Sequence, residues 1–117
     1  MTILANVLVA FVALLHLLFL VLEMFLWTKP FGRKTFGLTK ELAEASAKLA
    51  ANQGLYNGFL AAGLIWGLAA NLFEVKVFFL VCVIVAGLFG AFTAKRSILF
   101  VQAIPGALAL AAVMLAR

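Results

Sequence analysis

Two ionisable residues, His16 and Glu23, interrupt the apolar run at the start of the chain. On a helix their spacing of seven places them on one face, about 10 Å apart along the axis. A carboxyl and an imidazole can both exchange protons with a substrate, so the pair is suited to acid–base chemistry. A lone His without a second ligand at suitable spacing is a poor metal site, and we predict no bound metal.

A second polar group follows in another apolar run, in the order Asn52, Gln53, Tyr56 and Asn57. Residues four apart share a helix face, so Asn52 and Tyr56 form one stripe and Gln53 and Asn57 form its neighbour. Lipid offers no hydrogen bonds, so in a membrane these side chains need partners inside the protein.

The composition explains why a membrane must be considered. The chain has 117 residues, 68% of them hydrophobic and 11% charged, and its mean hydropathy is +1.24. A soluble domain of this size cannot bury so much apolar surface. Four apolar runs, at residues 3–27, 50–71, 75–94 and 98–116, each approach the roughly 20 residues that cross a bilayer. We therefore predict an all-α integral membrane four-helix bundle, a single membrane domain over residues 1–117.

The first run is expected to remain in the protein. It lacks a basic leading region, is too long for the apolar core of a signal peptide, and has no evident cleavage site.

Charge predicts the orientation. Seven of the nine Lys and Arg residues fall in the first and third connections and two on the opposite side. The seven are Lys29, Arg33, Lys34, Lys40, Lys48, Lys95 and Arg96, and the two are Lys76 and Arg117. Positive residues concentrate in cytoplasmic loops, so residues 28–49 should be cytoplasmic and both termini outside. The same bias accounts for the net charge of +5 without a nucleic-acid partner.

The second helix is predicted to be long. Pro30, Gly32 and Gly37 end the first helix, and Thr39 is a suitable N-cap for the next one. No helix breaker separates Lys40 from residue 71, so one helix of about 45 Å should project into the cytoplasm. The alternative is a kink near Gly54. In the last helix, Pro105 should disturb the regular hydrogen bonding.

Depth along the helices suggests one shared polar pocket. The polar residues within about 10 Å of the cytoplasmic boundary are Glu23, Asn52, Gln53, Tyr56, Asn57, Thr93 and Gln102. The outer halves of the helices are expected to have no comparable polar group. The candidate catalytic residues are Glu23, His16 and Tyr56; the candidate ligand-binding residues are Asn52, Gln53, Asn57, Gln102, Lys48 and Arg96. The alternative is a hydrogen-bonded plug that locks the bundle and binds nothing.

The string Asn-Gln-Gly-Leu-Tyr-Asn-Gly-Phe-Leu-Ala-Ala-Gly-Leu, with His16, Glu23 and Trp27 before it and Gln102 and Pro105 after it, resembles an uncharacterised family of short bacterial membrane proteins. The family is known only as a domain of unknown function. The resemblance implies a location in the bacterial inner (plasma) membrane.

More distantly, the chain resembles the MAPEG superfamily, the membrane-associated proteins in eicosanoid and glutathione metabolism. Glu44, Lys48 and Asn52 keep a spacing found in its second helix, and Arg96-Ser97 precedes Pro105 as in its fourth. The resemblance implies a homotrimer that binds a glutathione-type ligand through Lys48, Asn52 and Arg96, with Arg96 stabilising a thiolate.

Three classes of function fit these residues. The first is a membrane enzyme or binding protein for a lipophilic or amphipathic small molecule, such as a MAPEG-like transferase or isomerase. The second is a proton-coupled transporter that uses Glu23. The third is a structural membrane subunit without a ligand.

Overall fold

The computed structural model describes residues 1–117 and contains helices and no strands. There are five α-helices and one π-helical segment. Their bounds are α1 Thr2–Met24, α2 Pro30–Phe36, α3 Lys40–Ala69, α4 Phe73–Thr93, the π-helix Leu99–Ala103 and α5 Ile104–Leu115. The all-helical prediction is confirmed. Two helices, α1 and α4, are long and apolar enough to cross a membrane, which weakly suggests membrane association.

The first helix ends earlier than predicted. It stops at Met24 instead of Trp27, and the backbone N–H groups of Phe25 and Leu26 both donate to the carbonyl of Val21. Pro30 disfavours a helical conformation for the residue before it, so the chain must leave the helix nearby. Trp27 instead turns its indole N–H to the hydroxyl of Ser46, 3.0 Å away.

The first connection contains a short helix that was not predicted. Pro30 stands in the first turn of α2, where its missing N–H costs nothing. Gly37 ends the helix with a φ of 67°, and the N–H of Leu38 bonds back to the carbonyl of Arg33. This left-handed cap is the conformation that favours glycine. The indole of Trp27 lies 4.8 Å from the ring of Phe36 and packs the short helix in place.

The third helix is continuous over 30 residues, about 45 Å at 1.5 Å per residue. The predicted long helix is confirmed, and its helical hydrogen bonding is not interrupted at Gly54. Thr39 caps it as predicted, since its hydroxyl accepts from the N–H of Leu42 at 3.1 Å. The helix ends at Ala69, two residues before the predicted end, and Asn71 adopts a φ of 51° in the turn that follows.

The chain divides into two compact units. The smaller unit comprises residues 15–59, and the larger unit comprises residues 1–14 and 60–117. The predicted single membrane domain stays a prediction. In the larger unit, residues from α1, α3, α4 and α5 share one hydrophobic core. Its buried members are Ala5, Val9, Val12, Ala13, Leu64, Leu80, Val83, Ala109, Ala112 and Val113.

Before α5 the backbone widens into the π-helix, in which the N–H of Ile104 bonds to the carbonyl of Leu99. In a regular α-helix the ring of Pro105 would clash with the carbonyl of Val101. A π-helical turn moves that carbonyl away, so the disturbance predicted at Pro105 takes this form. Gly87 of α4 packs directly on the backbone of Ala103, where an added Cβ would lie 2.8 Å from the Ala103 nitrogen.

Candidate functional site

The candidate site of the smaller unit centres on one contact between α1 and α3. The Nδ2 group of Asn57 donates a hydrogen bond to Oε1 of Glu23. Asn57 is 7% exposed, and Glu23 is half-buried. A carboxyl group held by a buried amide has a fixed position, which a group that acts on a ligand requires.

Glycine brings the two helices together at this contact. A Cβ added to Gly54 would lie 3.1 Å from Cβ of Glu23 and 3.2 Å from the carbonyl oxygen of Leu20. A Cβ added to Gly58, one turn later, would lie 2.7 Å from Cδ1 of Leu20. The Gly54-x-x-x-Gly58 motif thus permits the close approach of α1 and α3. The absence of both side chains lets the short Asn57 amide reach Glu23.

His16 is fully buried, two turns before Glu23 on the same helix. Its ring meets the ring of Phe19 edge to face, with 5.2 Å between the centroids. Glu23 and His16 therefore both turn away from the outside of the smaller unit, as expected for residues seven apart. The chain contains no group of three or more His, Cys, Asp or Glu side chains placed to hold a metal.

The predicted amide stripe divides into one inward residue and three outward ones. Asn57 faces Glu23, whereas Asn52, Gln53 and Tyr56 are exposed on the surface of α3. Tyr56 is 52% exposed and meets Phe59 edge to face at 5.8 Å. Tyr56 precedes Asn57 by one residue, and so points about 100° away from it around the helix. The structure brings together Glu23 and Asn57, and it leaves Tyr56 and the other two amides on an outer face.

The remaining predicted ligand-binding residues are distributed over both units. Lys48 is exposed on α3, one turn before Asn52. Arg96 is exposed in the connection that follows α4. Gln102 is half-buried within the π-helix, three residues before Pro105. Their proposed role toward a ligand stays a prediction.

A second polar cluster was not predicted, and the prediction that the outer halves of the helices have no comparable polar group is wrong. In the larger unit, Nζ of Lys76 donates to Oδ1 of Asn6 at 3.3 Å and to Oδ1 of Asn71 at 3.2 Å. Lys76 is only 7% exposed. The signal was present, since Asn6 stands alone among apolar residues and Lys76 follows Glu74 into an apolar run.

Comparisons with known proteins identify a family and a relative. The model of the family described as "Protein of unknown function (DUF1304)" matches residues 10–114. The uncharacterized protein YpaA of Lactococcus lactis subsp. lactis strain IL1403 is 32% identical over 106 residues, which cover 87% of this chain and 89% of the relative. No solved structure matches the chain. With nearly all of its residues matched by the family model, the chain belongs to the DUF1304 family of proteins of unknown function.

Proposed function

We propose that the protein is a small multi-pass membrane protein whose α1–α3 contact binds a lipophilic or amphipathic small molecule. The single observation that carries this proposal is the hydrogen bond from the inward amide of Asn57 to the carboxyl group of Glu23. Glu23 is the only acidic residue within α1. A carboxyl within such an apolar helix is costly in a bilayer and by default suggests a function.

The surface supports a membrane environment. Only 28% and 22% of the most apolar stretches of α1 and α4 are buried inside the chain, so neither helix resembles the core helix of a soluble protein. Large apolar side chains such as Phe78, Phe89 and Phe92 are exposed along α4. Lipid is the solvent that such a surface requires. The relative from a bacterium fits a location in the bacterial inner (plasma) membrane.

The proposed topology follows the charges. Lys29, Arg33 and Lys34 lie around α2, and Lys40 and Lys48 lie on the first turns of α3. Under the positive-inside rule this region is cytoplasmic, and the four apolar segments form a membrane bundle with both termini outside. The first turns of α3 then project into the cytoplasm, because 45 Å exceeds the roughly 30 Å hydrocarbon thickness.

The outward face of α3 favours an assembly of several copies. Asn52, Gln53 and Tyr56 are exposed in the apolar half of the helix, where lipid would leave their polar groups without partners. A second copy that covers this face satisfies them. We propose a homo-oligomer, with a trimer favoured by the MAPEG resemblance. In it, ligands bind near Asn52, Gln53, Asn57 and Lys48 of the smaller unit, and Glu23, His16 and Tyr56 supply acid–base chemistry. A glutathione-type molecule is the cosubstrate that the MAPEG resemblance would supply.

Proton-coupled transport is the second candidate, favoured by the same Glu23 carboxyl in the middle of the α1–α3 contact. A transporter must alternate the access of its site between the two sides of the membrane, whereas an enzyme or binding protein need not. Flux of a bound molecule in proteoliposomes with an imposed proton gradient separates the two. If Glu23→Gln and Asn57→Leu both left binding and transport unchanged, a structural membrane subunit without a ligand would be the remaining candidate function.

The test of the proposal is ligand retention. The full chain is purified in mild detergent, and the small molecules that co-purify are identified by mass spectrometry. Glu23→Gln keeps the size and the acceptor oxygen for Asn57 but removes the titratable proton. The matched control is Glu41→Gln, the same change on the exposed first turn of α3. We expect the molecule enriched with the wild type and the control to be lost from Glu23→Gln. Its retention by folded Glu23→Gln protein would contradict the proposal.

A further inference from the structure

A pocket lies in the larger unit, at the start of α1, the turn between α3 and α4, and the end of α5. Its volume is about 240 Å³, below the range typical of sites for drug-sized ligands. It is lined by Thr2, Ala5, Asn6, Asn71, Phe73, Lys76, Val113, Ala116 and Arg117. The pocket therefore suits a small group of atoms.

The pocket contains one buried cation, the ammonium group of Lys76. Lys76 is only 7% exposed, and its ammonium group donates to the two neutral amide oxygens of Asn6 and Asn71. None of the four acidic side chains of the chain forms an ion pair with it. Buried charges are normally paired, so an ammonium held only by amides lacks a counter-ion.

The position of Lys76 is built into the packing. Gly67 of α3 lies against its stem, and a Cβ added to this glycine would lie 2.9 Å from Cγ of Lys76 and 3.1 Å from its backbone nitrogen. The side chain is thus held between helices and does not extend freely into solvent. A cation fixed in this way is prepared for an anion at small entropic cost.

The other polar groups around the pocket are hydrogen-bond donors as well. Asn6 and Asn71 each use the amide oxygen on Lys76, which leaves the N–H donors of both amides unused by the hydrogen bonds of the structure. The guanidinium carbon of Arg117 lies 4.3 Å from the centre of the Phe73 ring, and this contact holds a second cation at the pocket. Two cations and two amides with free N–H groups are complementary to an anion with several oxygen atoms.

We propose that this pocket binds a phosphate group, either inorganic phosphate or the phosphate of a lipid headgroup. A phosphate offers several acceptor oxygens, and Lys and Arg side chains are its usual partners in proteins. It would supply the counter-ion of Lys76 and accept from the amides of Asn6 and Asn71. The site is separate from Glu23 and does not depend on the function proposed for that residue.

The experiment uses the full chain and two probes. In detergent at constant ionic strength, inorganic phosphate is titrated and the melting temperature is recorded against chloride. In nanodiscs of phosphatidylcholine with added phosphatidylglycerol, native mass spectrometry counts the anionic lipid that remains on the protein. The variants are Lys76→Met and Arg117→Gln, and the control is Lys34→Met, which removes an exposed cation from the smaller unit.

The proposal is supported, with free phosphate as the ligand, if phosphate raises the melting temperature saturably in the wild type and in Lys34→Met. In the two pocket variants the apparent affinity for phosphate should be about tenfold weaker. The proposal is supported, with a lipid as the ligand, if phosphate has no effect but the wild type and Lys34→Met retain phosphatidylglycerol and the two pocket variants lose it. If Lys76→Met does not fold, Arg117→Gln at its exposed position decides. The proposal is overturned if neither probe binds the wild type, or if both pocket variants bind as well as the control.

Discussion

Asn57 of α3 donates a hydrogen bond to the carboxyl group of Glu23, which lies 34 residues earlier on α1. Trp27, three residues beyond the end of α1, forms a second contact with α3 through Ser46. Ser46 and Asn57 are eleven residues apart on one continuous helix, about 16 Å along its axis. The Trp27 indole and the Glu23 carboxyl therefore meet α3 at two levels about 16 Å apart along its axis.

The first prediction tests the energetic role of this bond. Asn57→Leu removes the donor and leaves the Glu23 carboxyl against an apolar side chain, so the free energy of unfolding should fall by about 1–3 kcal/mol. Glu44→Leu is the control, because Glu44 is exposed on α3 outside the proposed site and its change should stay within roughly 0.5 kcal/mol. Thermal unfolding in detergent measures both. Equal stability of the two variants would show that the bond contributes nothing.

The second prediction compares two glycines of one motif. In Gly54→Ala the new methyl group would lie 3.2 Å from the carbonyl oxygen of Leu20 and 2.6 Å from Cγ of Met24, so the helices must separate. We expect a loss of about 1–3 kcal/mol. In Gly58→Ala the nearest atom is the terminal Cδ1 of Leu20, which can rotate away. Alanine also favours the helix, so Gly58→Ala should be nearly neutral. The reverse order of stabilities would contradict the packing described.

The third prediction concerns the contact between α4 and the π-helix. Gly87→Ala places a methyl group 2.8 Å from the backbone nitrogen of Ala103, which cannot rotate away, and we expect a loss of about 1–3 kcal/mol. Gly90→Ala is the control, because it meets only side-chain atoms of Ile98, at 3.2 Å and beyond. Chemical unfolding of the two variants should rank Gly87→Ala as the less stable. A Gly87→Ala protein as stable as the control would count against this contact.

The fourth prediction concerns topology. Because Lys and Arg are concentrated in the two connections proposed to be cytoplasmic, a reporter fused to the C-terminus should report an outside location. An alkaline phosphatase fusion should be active and a fluorescent protein fusion dark. A reporter inserted after Gly37, between α2 and α3, should give the opposite pair of signals. A C-terminal fluorescent protein fusion that is bright, with an inactive alkaline phosphatase fusion, would contradict the proposed orientation.

The fifth prediction concerns assembly. In a Cys82→Ser background, Asn52→Cys should form disulfide cross-links between copies, because the exposed polar face of α3 is proposed to lie between them. Phe78→Cys is the control on the exposed apolar surface of α4 and should cross-link less. Native mass spectrometry of the unmodified chain should show a trimer. If only monomers are detected in mild detergent, the proposed oligomer is contradicted.

Much of the fold was predictable, because it depends on local chemistry. Apolar runs located the long helices, Thr39 marked the start of α3, and the quoted polar string indicated an uncharacterised family before the comparisons confirmed it. The end of α1 was not predictable in this way. Phe25 and Leu26 continue the apolar run, so the sequence pattern does not place the end of the helix at Met24. The tertiary contact of Trp27 with Ser46 accompanies the departure from the helix.

The site was predicted as a set of residues and not as an arrangement. Spacing by four identifies helix faces, but it does not say which face meets α1. The glycines indicate which face of α3 meets α1. Gly54 and Gly58 lie near Asn57 on the side that approaches α1, so Asn57 is the amide that turns inward. Lys76 was counted only as a charge near a helix end. Its burial depends on Asn6 and Asn71, which are remote from each other in sequence.

The π-helix Leu99–Ala103 has a consequence for insertions and deletions. A π-helical turn holds one residue more than an α-helical turn, so every side chain after it is rotated by about 100° relative to an unbroken helix. The buried residues Gly106 and Ala109 come after this turn. Removing one residue between Leu99 and Ala103 would shorten the chain yet keep the same face of α5 inward, whereas removing one after Gly106 would turn the rest of that face outward.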